Sequence, residues 1–335
     1  MKKRVLVAGA TGLVGGIMTR ILEERDFPVD QFIPVASERS VGKTIVFRNQ
    51  SVPVLGFQEA LALRPDIALF SAGKEVSRFW APRLAETGCR VVDNSSCWRM
   101  DPSIKLIVPE INGDLLTTTD RIIANPNCST IQMVMALAPL HKRFGLHRVV
   151  VSTYQSVTGS GHKGLEQLLA ERKTKPGNQK RPVPLSVYPC PIDMNVIPQI
   201  GAFLENGYTE EEMKMVRETQ KILDDAGIRV SATTVRVPVK GGHSLSVNAS
   251  FKKPFSMKDV ILLLTSFPGL KLSETGPYPG FVTPLEAEGT NPVYVSRIRR
   301  DLSRENTLDM WIVADNLRKG AALNAVQIAE KLLLF

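Results

Sequence analysis

Residues 4–15, RVLVAGATGLVG, decide the fold of the first part of this chain. Arg4–Ala8 is a short apolar run typical of a buried strand, and Leu13–Glu24 has the apolar spacing of a helix. The glycines between them have the spacing G-x-x-G-x-x-G. Such a loop turns tightly and lets a pyrophosphate approach the backbone at a helix N-terminus. The segment therefore predicts a dinucleotide site. Its residues are Gly9, Thr11, Gly12, Leu13, Val14 and Gly15.

Short β-rich runs continue to alternate with helical patterns after this loop. We predict strands at Phe32–Ala36, Ile67–Phe70 and Arg90–Asp93, and a helix over Val76–Glu86. Alternation of this kind indicates a parallel sheet with helices on both faces. The first part of the chain is therefore predicted to be an α/β domain of the Rossmann type.

The pattern changes after residue 128. The predicted strands become longer, and a helix is predicted over Thr209–Ala226; these strands are Val149–Tyr154, Ile228–Val237, Ser244–Phe251, Val293–Arg299 and Leu308–Ala314. They indicate an antiparallel or mixed sheet in a second, α+β domain. We place a dinucleotide-binding domain at 1–127, completed by the C-terminal helix 317–335, and a catalytic and dimerisation domain at 128–316.

Composition excludes several classes of protein. The chain has 335 residues, 43% of them hydrophobic, and no run approaches the ~18 apolar residues of a membrane helix. Its four cysteines have neither disulfide-framework nor zinc-site spacing, so we expect a reduced, cytoplasmic protein without a structural metal. The net charge is +9, with a basic cluster over 172–181 among Pro, Gly, Asn and Gln. We interpret this cluster as a solvated loop, because few aromatic residues accompany it as a nucleic-acid surface would require.

The end of the second predicted strand bears on which nucleotide binds. An NAD site usually has an acidic residue there for the ribose 2′-OH, whereas this chain reads Ser37-Glu38-Arg39-Ser40. Arg39 and the neighbouring hydroxyls suit the 2′-phosphate of NADP. Glu38 keeps NAD as the alternative.

An isolated cysteine stands in the stretch NPNCST, residues 125–130. Residues 129–140 have apolar side chains at helical spacing, so Cys128 lies at the start of a predicted helix that Asn127 can cap. The positive end of the helix dipole favours the thiolate, the nucleophilic form of cysteine. A small buried hydrophobic residue is the alternative interpretation.

Four further polar residues stand at the ends of predicted strands or inside apolar ones. Arg99 lies on a loop after the last parallel strand, and Gln155 ends a strand before a glycine-rich turn. Arg236 interrupts a β-branched run, and His243 follows two glycines. A cysteine, a histidine and two arginines beside a nicotinamide suit a thioacyl mechanism that interconverts an aldehyde and an activated acid. Neither a serine-triad motif nor a metal cluster competes with this interpretation.

Over almost its whole length the chain resembles the aspartate-β-semialdehyde dehydrogenases of the bacterial type. The motifs that carry the resemblance occur in the family's order; they are GATGLVG (9–15), ASERSVGK (36–43), DNSSCWRMD (93–101), VPEIN (108–112), NPNCST (125–130), TYQSVTGSG (153–161), VRVPVKGGHS (235–244) and DNLRKGAALNAVQIAE (315–330). Lys74, where relatives tend to have glycine, and Cys97-Trp98 before Arg99 depart from the family pattern.

The resemblance implies a role for each matching residue. Cys128 would be the nucleophile and His243 the acid/base. Gln155 would position the acyl group, Arg236 would bind the substrate α-carboxylate and Glu218 its α-amino group. The remaining implied contacts are Arg99 and Lys221 to phosphate, and Asn316 with Thr158 and Gly159 to the nicotinamide of NADP.

The resemblance also implies the reaction. It is the reduction of L-aspartyl 4-phosphate by NADPH to aspartate semialdehyde and phosphate, on the route to lysine, methionine and threonine, by a homodimer without nucleic-acid or membrane partners. Two alternatives stay open. One is a related acyl-phosphate reductase, such as one acting on N-acetylglutamyl phosphate; the other is a non-catalytic paralogue that serves as a binding protein.

Overall fold

A computed structural model describes residues 2–173, 187–273 and 280–335. The fold divides into two compact units, residues 1–127 with 320–335 and residues 128–319. The greater part of the predicted basic loop, 174–181, lies outside the described residues.

The first unit alternates strands and helices in the predicted manner. Its elements are β1 (Lys3–Ala8), α1 (Leu13–Glu24), β2 (Val29–Val35), β3 (Thr44–Phe47), β4 (Gln50–Pro53), α2 (Phe57–Ala62), β5 (Ile67–Phe70), α3 (Lys74–Glu86), β6 (Arg90–Asp93), β7 (Lys105–Leu106), α4 (Pro109–Asn112) and β8 (Ile122–Ala124), with α10 (Leu323–Leu332) from the C-terminal end of the chain. Six of these strands form a parallel sheet in the order β2-β1-β5-β6-β8-β7.

Apolar side chains bury both faces of this sheet. Val5 and Val7 of β1 face a core shared with α1 and α10, whereas Leu6 and Ala8 face a core shared with α2 and α3. Successive strand residues point to opposite faces, so a continuous apolar run is what a strand covered on both sides requires. The predicted Rossmann-type α/β class is confirmed.

The second unit is built on a mixed sheet. Its elements are α5 (Cys128–Phe144), β9 (Leu146–Gln155), α6 (Gly161–Lys173), α7 (Glu210–Ile222), β10 (Arg229–Arg236), β11 (His243–Phe251), α8 (Met257–Ser266), β12 (Leu270–Leu272), α9 (Pro284–Ala287), β13 (Val293–Arg300) and β14 (Thr307–Ala314). The strand order is β10-β9-β11-β14-β13-β12, with parallel pairs only at the two edges.

Helix α5 is the main buried helix of the second unit. It is almost wholly buried from Ser129 to Leu140 and packs against β9, β11 and β14 and against α7 and α8. Within the described ranges, no helix is long and apolar enough to cross a membrane.

Candidate active site

Three predicted site residues lie side by side on adjacent strands of the second unit. Gln155, the last residue of β9, pairs in register with Arg236 at the end of β10 and with His243 at the start of β11. Residues paired across strands point to the same face of a sheet. All three side chains are buried. The sheet register therefore brings these side chains together, although Gln155 and His243 are 88 positions apart in sequence.

Gln155 is oriented by hydrogen bonds at both ends of its amide. Its Oε1 accepts from Thr153 Oγ1 at 3.0 Å, and its Nε2 donates to Glu211 Oε1 at 3.2 Å. The other oxygen of Glu211 is 3.1 Å from Lys214 Nζ. An amide nitrogen has two protons, so Gln155 keeps one donor beyond the bond to Glu211.

The start of α7 fixes Glu211 at this place. Thr209 and Glu212 form a capping box, and Glu212 Oε1 also accepts from the backbone N–H of Thr234 on β10 at 2.9 Å. These bonds tie the helix N-terminus to the strand that carries Arg236. Glu218 is buried seven residues further along, roughly 10 Å away at the helical rise.

The structure thus places Glu211 against Gln155, whereas Glu218, for which a contact with the substrate α-amino group is predicted, lies two helical turns further along α7. Lys214 likewise lies beside the Glu211 carboxylate, two helical turns before the predicted Lys221. Sequence reasoning missed Glu211 and Lys214. The signal that could have located them is the capping-box pattern that begins at Thr209, because it marks the helix end tied to the sheet.

His243 is fully buried, and burial together with the Arg236 charge lowers its pKa to about 3. Its Nδ1 accepts the backbone N–H of Ser156 at 3.1 Å and lies 3.1 Å from Ser156 Oγ. Because Nδ1 accepts from a backbone donor, the proton of the neutral ring is assigned to Nε2. That Nε2 is buried and has no hydrogen-bond partner within the described segments. The ring therefore presents an unused N–H at neutral pH.

Arg236 faces the same space. Its Nη1 donates to the Ser156 carbonyl at 2.6 Å, which orients the guanidinium. A Cβ on Gly159 would lie 2.7 Å from that nitrogen and 3.3 Å from His243 Nε2. A side chain at this position would therefore displace the Arg236 guanidinium and occupy the space beside His243. Ser156, which the sequence did not indicate, thus holds both His243 and Arg236.

Asn316 holds the turn that carries Gly159. Its Oδ1 accepts from the backbone N–H of Gly242 and from Ser156 Oγ, both at 3.1 Å, and its Nδ2 donates to Thr158 Oγ1 at 3.2 Å. The predicted grouping of Asn316 with Thr158 and Gly159 is therefore a physical cluster. The bond to Gly242 also fixes the backbone immediately before His243.

Cys128 is the first residue of α5, one position before the predicted start of the apolar helix. Its side chain is half-buried, and all four cysteines lie in described parts of the chain and form no disulfide. The first turn of this 17-residue helix presents N–H groups and the positive end of its dipole to the thiol. Cys128 therefore lies at a helix N-terminus, as the sequence predicts.

The glycine loop of the first unit has the form that a pyrophosphate needs. Gly9 has a φ of +79°, and a Cβ there would lie 2.2 Å from the Ser71 carbonyl oxygen. A Cβ on Gly15 would lie 2.2 Å from the Gly9 carbonyl oxygen. Gly12 precedes α1 and leaves its first N–H groups without a side-chain cap. The loop therefore fits a nicotinamide dinucleotide at an open helix N-terminus.

A cavity of about 720 Å³ adjoins this loop. Phe57 and Trp80 stack on its wall with ring centroids 4.8 Å apart, and Glu38 also lines it. Arg39 is exposed on the same short 3₁₀ turn, with Ser40 half-buried beside it. Lys74 is exposed at the start of α3. The cavity is large enough for a ligand of cofactor size.

Arg99 lies on the loop after β6 and is buried. Its Nη2 donates to the Asn94 carbonyl at 2.7 Å. Burial raises the pKa of the neighbouring Asp93, against the opposing effect of a Ser95 hydrogen bond and of the Arg99 charge. Trp98 donates its indole N–H to Ser77 Oγ at 2.9 Å, so this departure from the family pattern is anchored in the first unit's core.

The depressed pKa of His243 predicts a loss of stability in acid. Its pKa of about 3 in the folded state lies below the ordinary 6.5, so the unfolded chain binds the proton more readily between these values. The stability that neutral His243 contributes is therefore fully present above pH 6.5 and is lost as the pH falls toward 3. We expect the free energy of unfolding to fall by about 2 kcal/mol more in wild type than in His243→Asn between pH 6 and pH 4. Urea unfolding at both pH values measures this; equal losses in the two proteins would contradict the prediction.

Comparisons with known proteins agree with the resemblance inferred from the motifs. The family model described as semialdehyde dehydrogenase, NAD binding domain, matches residues 4–119, and that described as semialdehyde dehydrogenase, dimerisation domain, matches residues 137–319. The aspartate-semialdehyde dehydrogenase of Shewanella violacea is 48% identical, over 98% of this chain and 97% of that protein. That of Aquifex aeolicus is 47% identical, over 99% and 98%.

The fold also agrees closely with that of a solved structure. Aspartate semialdehyde dehydrogenase II from Vibrio cholerae, complexed with ASA, superposes with a TM-score of 0.95 at 43% identity, over 100% of this chain and 99% of that one. Family models, full-length relatives and this structure all agree, and the resemblance is confirmed. The chain belongs to the aspartate-semialdehyde dehydrogenase family.

Proposed function

We propose that this chain catalyses the NADPH-dependent reductive dephosphorylation of L-aspartyl 4-phosphate to L-aspartate 4-semialdehyde. The observation that carries the proposal is the pair of opposite charges beside Gln155 and His243. Arg236 is a buried guanidinium and Glu211 a buried carboxylate, and both charges act on the His243 imidazole. A site with one buried cation and one buried anion suits a substrate with an α-carboxylate and an α-ammonium group.

Each of these charged side chains then binds an oppositely charged group of the substrate. Arg236 binds the α-carboxylate with the donors that its bond to Ser156 leaves over. Glu211 binds the α-ammonium group, in place of the predicted Glu218. Lys214, beside Glu211, supplies the phosphate contact in place of Lys221, and Arg99 is the second phosphate ligand.

Cys128 provides covalent catalysis. Its thiolate attacks the acyl carbon of aspartyl phosphate, the C–S bond forms, and the bond from carbon to the phosphate oxygen breaks. When bound, NADPH supplies the hydride that reduces this acyl carbon. The C–S bond then breaks, the aldehyde leaves, and the thiolate is restored.

His243 and Gln155 act on the oxygen of the acyl group. The Nε2–H of the neutral imidazole donates to the negative charge that develops there and moves its proton as the adduct forms and collapses. The unused proton on Gln155 Nε2 holds the same oxygen. The backbone N–H of Ser156 donates to Nδ1 and keeps the imidazole in the tautomer that this role requires.

The first unit carries the residues that bind the phosphate groups of the coenzyme. The backbone N–H groups of Gly12, Leu13 and Val14 hold the pyrophosphate, with Gly9 and Gly15 permitting its approach. The Thr158-Gly159 turn and Asn316 contact the nicotinamide. Arg39, with Ser40, binds the 2′-phosphate that distinguishes NADP from NAD.

The role of Arg39 predicts a selective loss of coenzyme affinity. We expect Arg39→Ala to weaken NADPH binding by about tenfold or more while NADH binding changes less than twofold, because only NADPH offers a phosphate to the guanidinium. Fluorescence titration of both coenzymes measures the two dissociation constants. Equal losses would remove Arg39 as the discriminating residue, and a wild-type preference for NADH would overturn the choice of NADP.

The reaction itself is tested in the reverse direction. Purified protein should reduce NADP when given aspartate semialdehyde and inorganic phosphate together, and should not do so when phosphate is left out. The semialdehyde of N-acetylglutamate is the matched comparison, because its acylated amine cannot pair with Glu211. Absence of turnover with aspartate semialdehyde, or preference for the acetylated compound, would overturn the proposal.

The placement of Glu211 predicts unequal effects along one helix. We expect Glu211→Gln to raise the KM for aspartate semialdehyde by about tenfold or more, since the ammonium group loses a charged partner. The matched variant Glu218→Gln, two turns along α7, should change this KM much less. Steady-state kinetics of both variants decides between the two carboxylates, and the reverse order would restore Glu218.

The assembly and cellular role of the enzyme complete the proposed function. We propose that it acts as a homodimer assembled through the second unit, because the family model for residues 137–319 is a dimerisation domain. Its product would serve the synthesis of lysine, methionine and threonine in the cytoplasm. Sedimentation analysis of the purified chain tests the dimer, and a monomer that turns over normally would contradict it.

A further inference from the structure

A second cavity, of about 430 Å³, lies in the first unit at the edge of the parallel sheet where its strands begin. Lys3 and Arg4 start β1, Ile67 starts β5, and Arg90 starts β6. These are adjacent strands, so parallel pairing brings their first residues to one edge of the sheet. The volume is within the range of small-molecule sites.

The charge of this cavity is strongly one-sided. Its lining includes five cationic side chains and one carboxylate, and these residues are Lys3, Arg4, Arg64, Arg90, Arg121 and Asp66. The carboxylate lies 3.6 Å from Arg4 Nε. Among the side chains that line the cavity in the described structure, the remaining cations therefore exceed the available counter-charge.

Three of the guanidiniums are held in place and still have donors to offer. Arg90 Nη1 donates to the Leu332 carbonyl at 2.6 Å, Arg4 Nη1 to Leu63 at 2.9 Å, and Arg121 Nη1 to Thr118 at 3.1 Å. A guanidinium has five N–H donors, so each retains several after these bonds. Anchored guanidiniums match the paired oxygens of phosphate groups.

The cavity is separate from the coenzyme loop. Gly9 follows the last residue of β1, whereas Lys3 and Arg4 begin it. Six strand residues separate the two sheet edges by about 20 Å. A ligand in the basic cavity therefore does not contact the loop that receives the coenzyme pyrophosphate.

We propose that this basic cavity is a second anion site, one that takes a small ligand with at least two adjacent phosphate groups. Five cations from four chain segments surround the ligand, and the anchored guanidiniums of Arg4, Arg90 and Arg121 supply directional donors. The site depends on none of the residues assigned to the reaction.

Titration calorimetry with inorganic pyrophosphate tests the site at fixed, low ionic strength. Arg64→Gln with Arg121→Gln removes two cations whose side chains are exposed, so the fold is retained. The matched control is Arg20→Gln with Arg229→Gln, which removes two exposed arginines that do not line the cavity. A third protein, Arg99→Gln, reports pyrophosphate bound at the proposed catalytic phosphate site.

We expect saturable binding of one pyrophosphate per chain, weakened at least tenfold in the cavity double variant and less than twofold in the other two proteins. As an independent check, Thr87→Glu places a carboxylate at the exposed rim of the cavity and should weaken binding to a similar extent. Absence of saturable binding to wild type, equal weakening in the cavity and control variants, or loss in Arg99→Gln alone would each overturn the proposal.

Discussion

Cys128→Ser should lower turnover by at least about 10³-fold while leaving the fold and coenzyme binding intact. A serine hydroxyl at the start of α5 is far less ionised than a thiol in the same helix-dipole field, and it is the weaker nucleophile. The acyl carbon then has no covalent partner before reduction. Phosphate-dependent NADP reduction measures turnover, and coenzyme titration with circular dichroism reports binding and fold.

Cys190→Ser is the matched control for this change. Cys190 is also half-buried in the second unit and forms no disulfide, but it lies in a bend and not at the start of a helix. Its replacement should alter turnover by less than about twofold, as expected of a substitution away from the chemistry. A Cys128→Ser protein with more than a small fraction of wild-type activity would remove the cysteine from the mechanism.

Local sequence signals were sufficient to predict the main elements of the fold. Helix α1 has the predicted bounds, Leu13–Glu24, and β5 and β6 also coincide with their predicted ranges. Buried apolar runs and a glycine loop encode these elements within a few residues of chain. The hairpin β3–β4 was not predicted, because its strands are mostly exposed and lack the buried apolar run that marks β5 and β6. Strand β7 was missed because two residues are too few for any pattern.

The candidate site contains features that local sequence signals cannot predict. Glu211 with Lys214 and Glu218 with Lys221 repeat the same i, i+3 pair seven residues apart, so both pairs lie on nearly the same face of α7. Helical periodicity cannot distinguish one turn from another two turns away. The bond from Glu212 to the backbone of Thr234 makes that choice in the structure, and it joins residues 22 positions apart.

Local sequence signals also could not predict the role of Ser156 or the basic cavity. Ser156 acts through its backbone N–H and carbonyl, which bind His243 and Arg236, and backbone groups are the same in every non-proline residue. The cations of the cavity are scattered over 119 positions from Lys3 to Arg121, and only parallel strand pairing collects them. Both features depend on tertiary structure and leave no local pattern.

The two buried arginines should respond differently to the same conservative change. Arg236→Lys replaces a planar fork beside Gln155 with a point charge, so we expect the KM for aspartate semialdehyde to rise about 10- to 100-fold. Arg99→Lys should instead raise the KM for inorganic phosphate by about tenfold, with a smaller effect on the semialdehyde. Initial rates over a grid of both substrate concentrations separate the two constants.

The guanidinium of Arg236 is held by Ser156 and that of Arg99 by Asn94, and these anchors lie in different units of the fold. The proposed mechanism assigns each arginine its own anion, a carboxylate for Arg236 and a phosphate for Arg99. If each variant impaired both substrates equally, the two arginines would share a single anion and the division of roles would be wrong. If neither KM changed, both guanidiniums would serve only to hold the loops that their carbonyl bonds join.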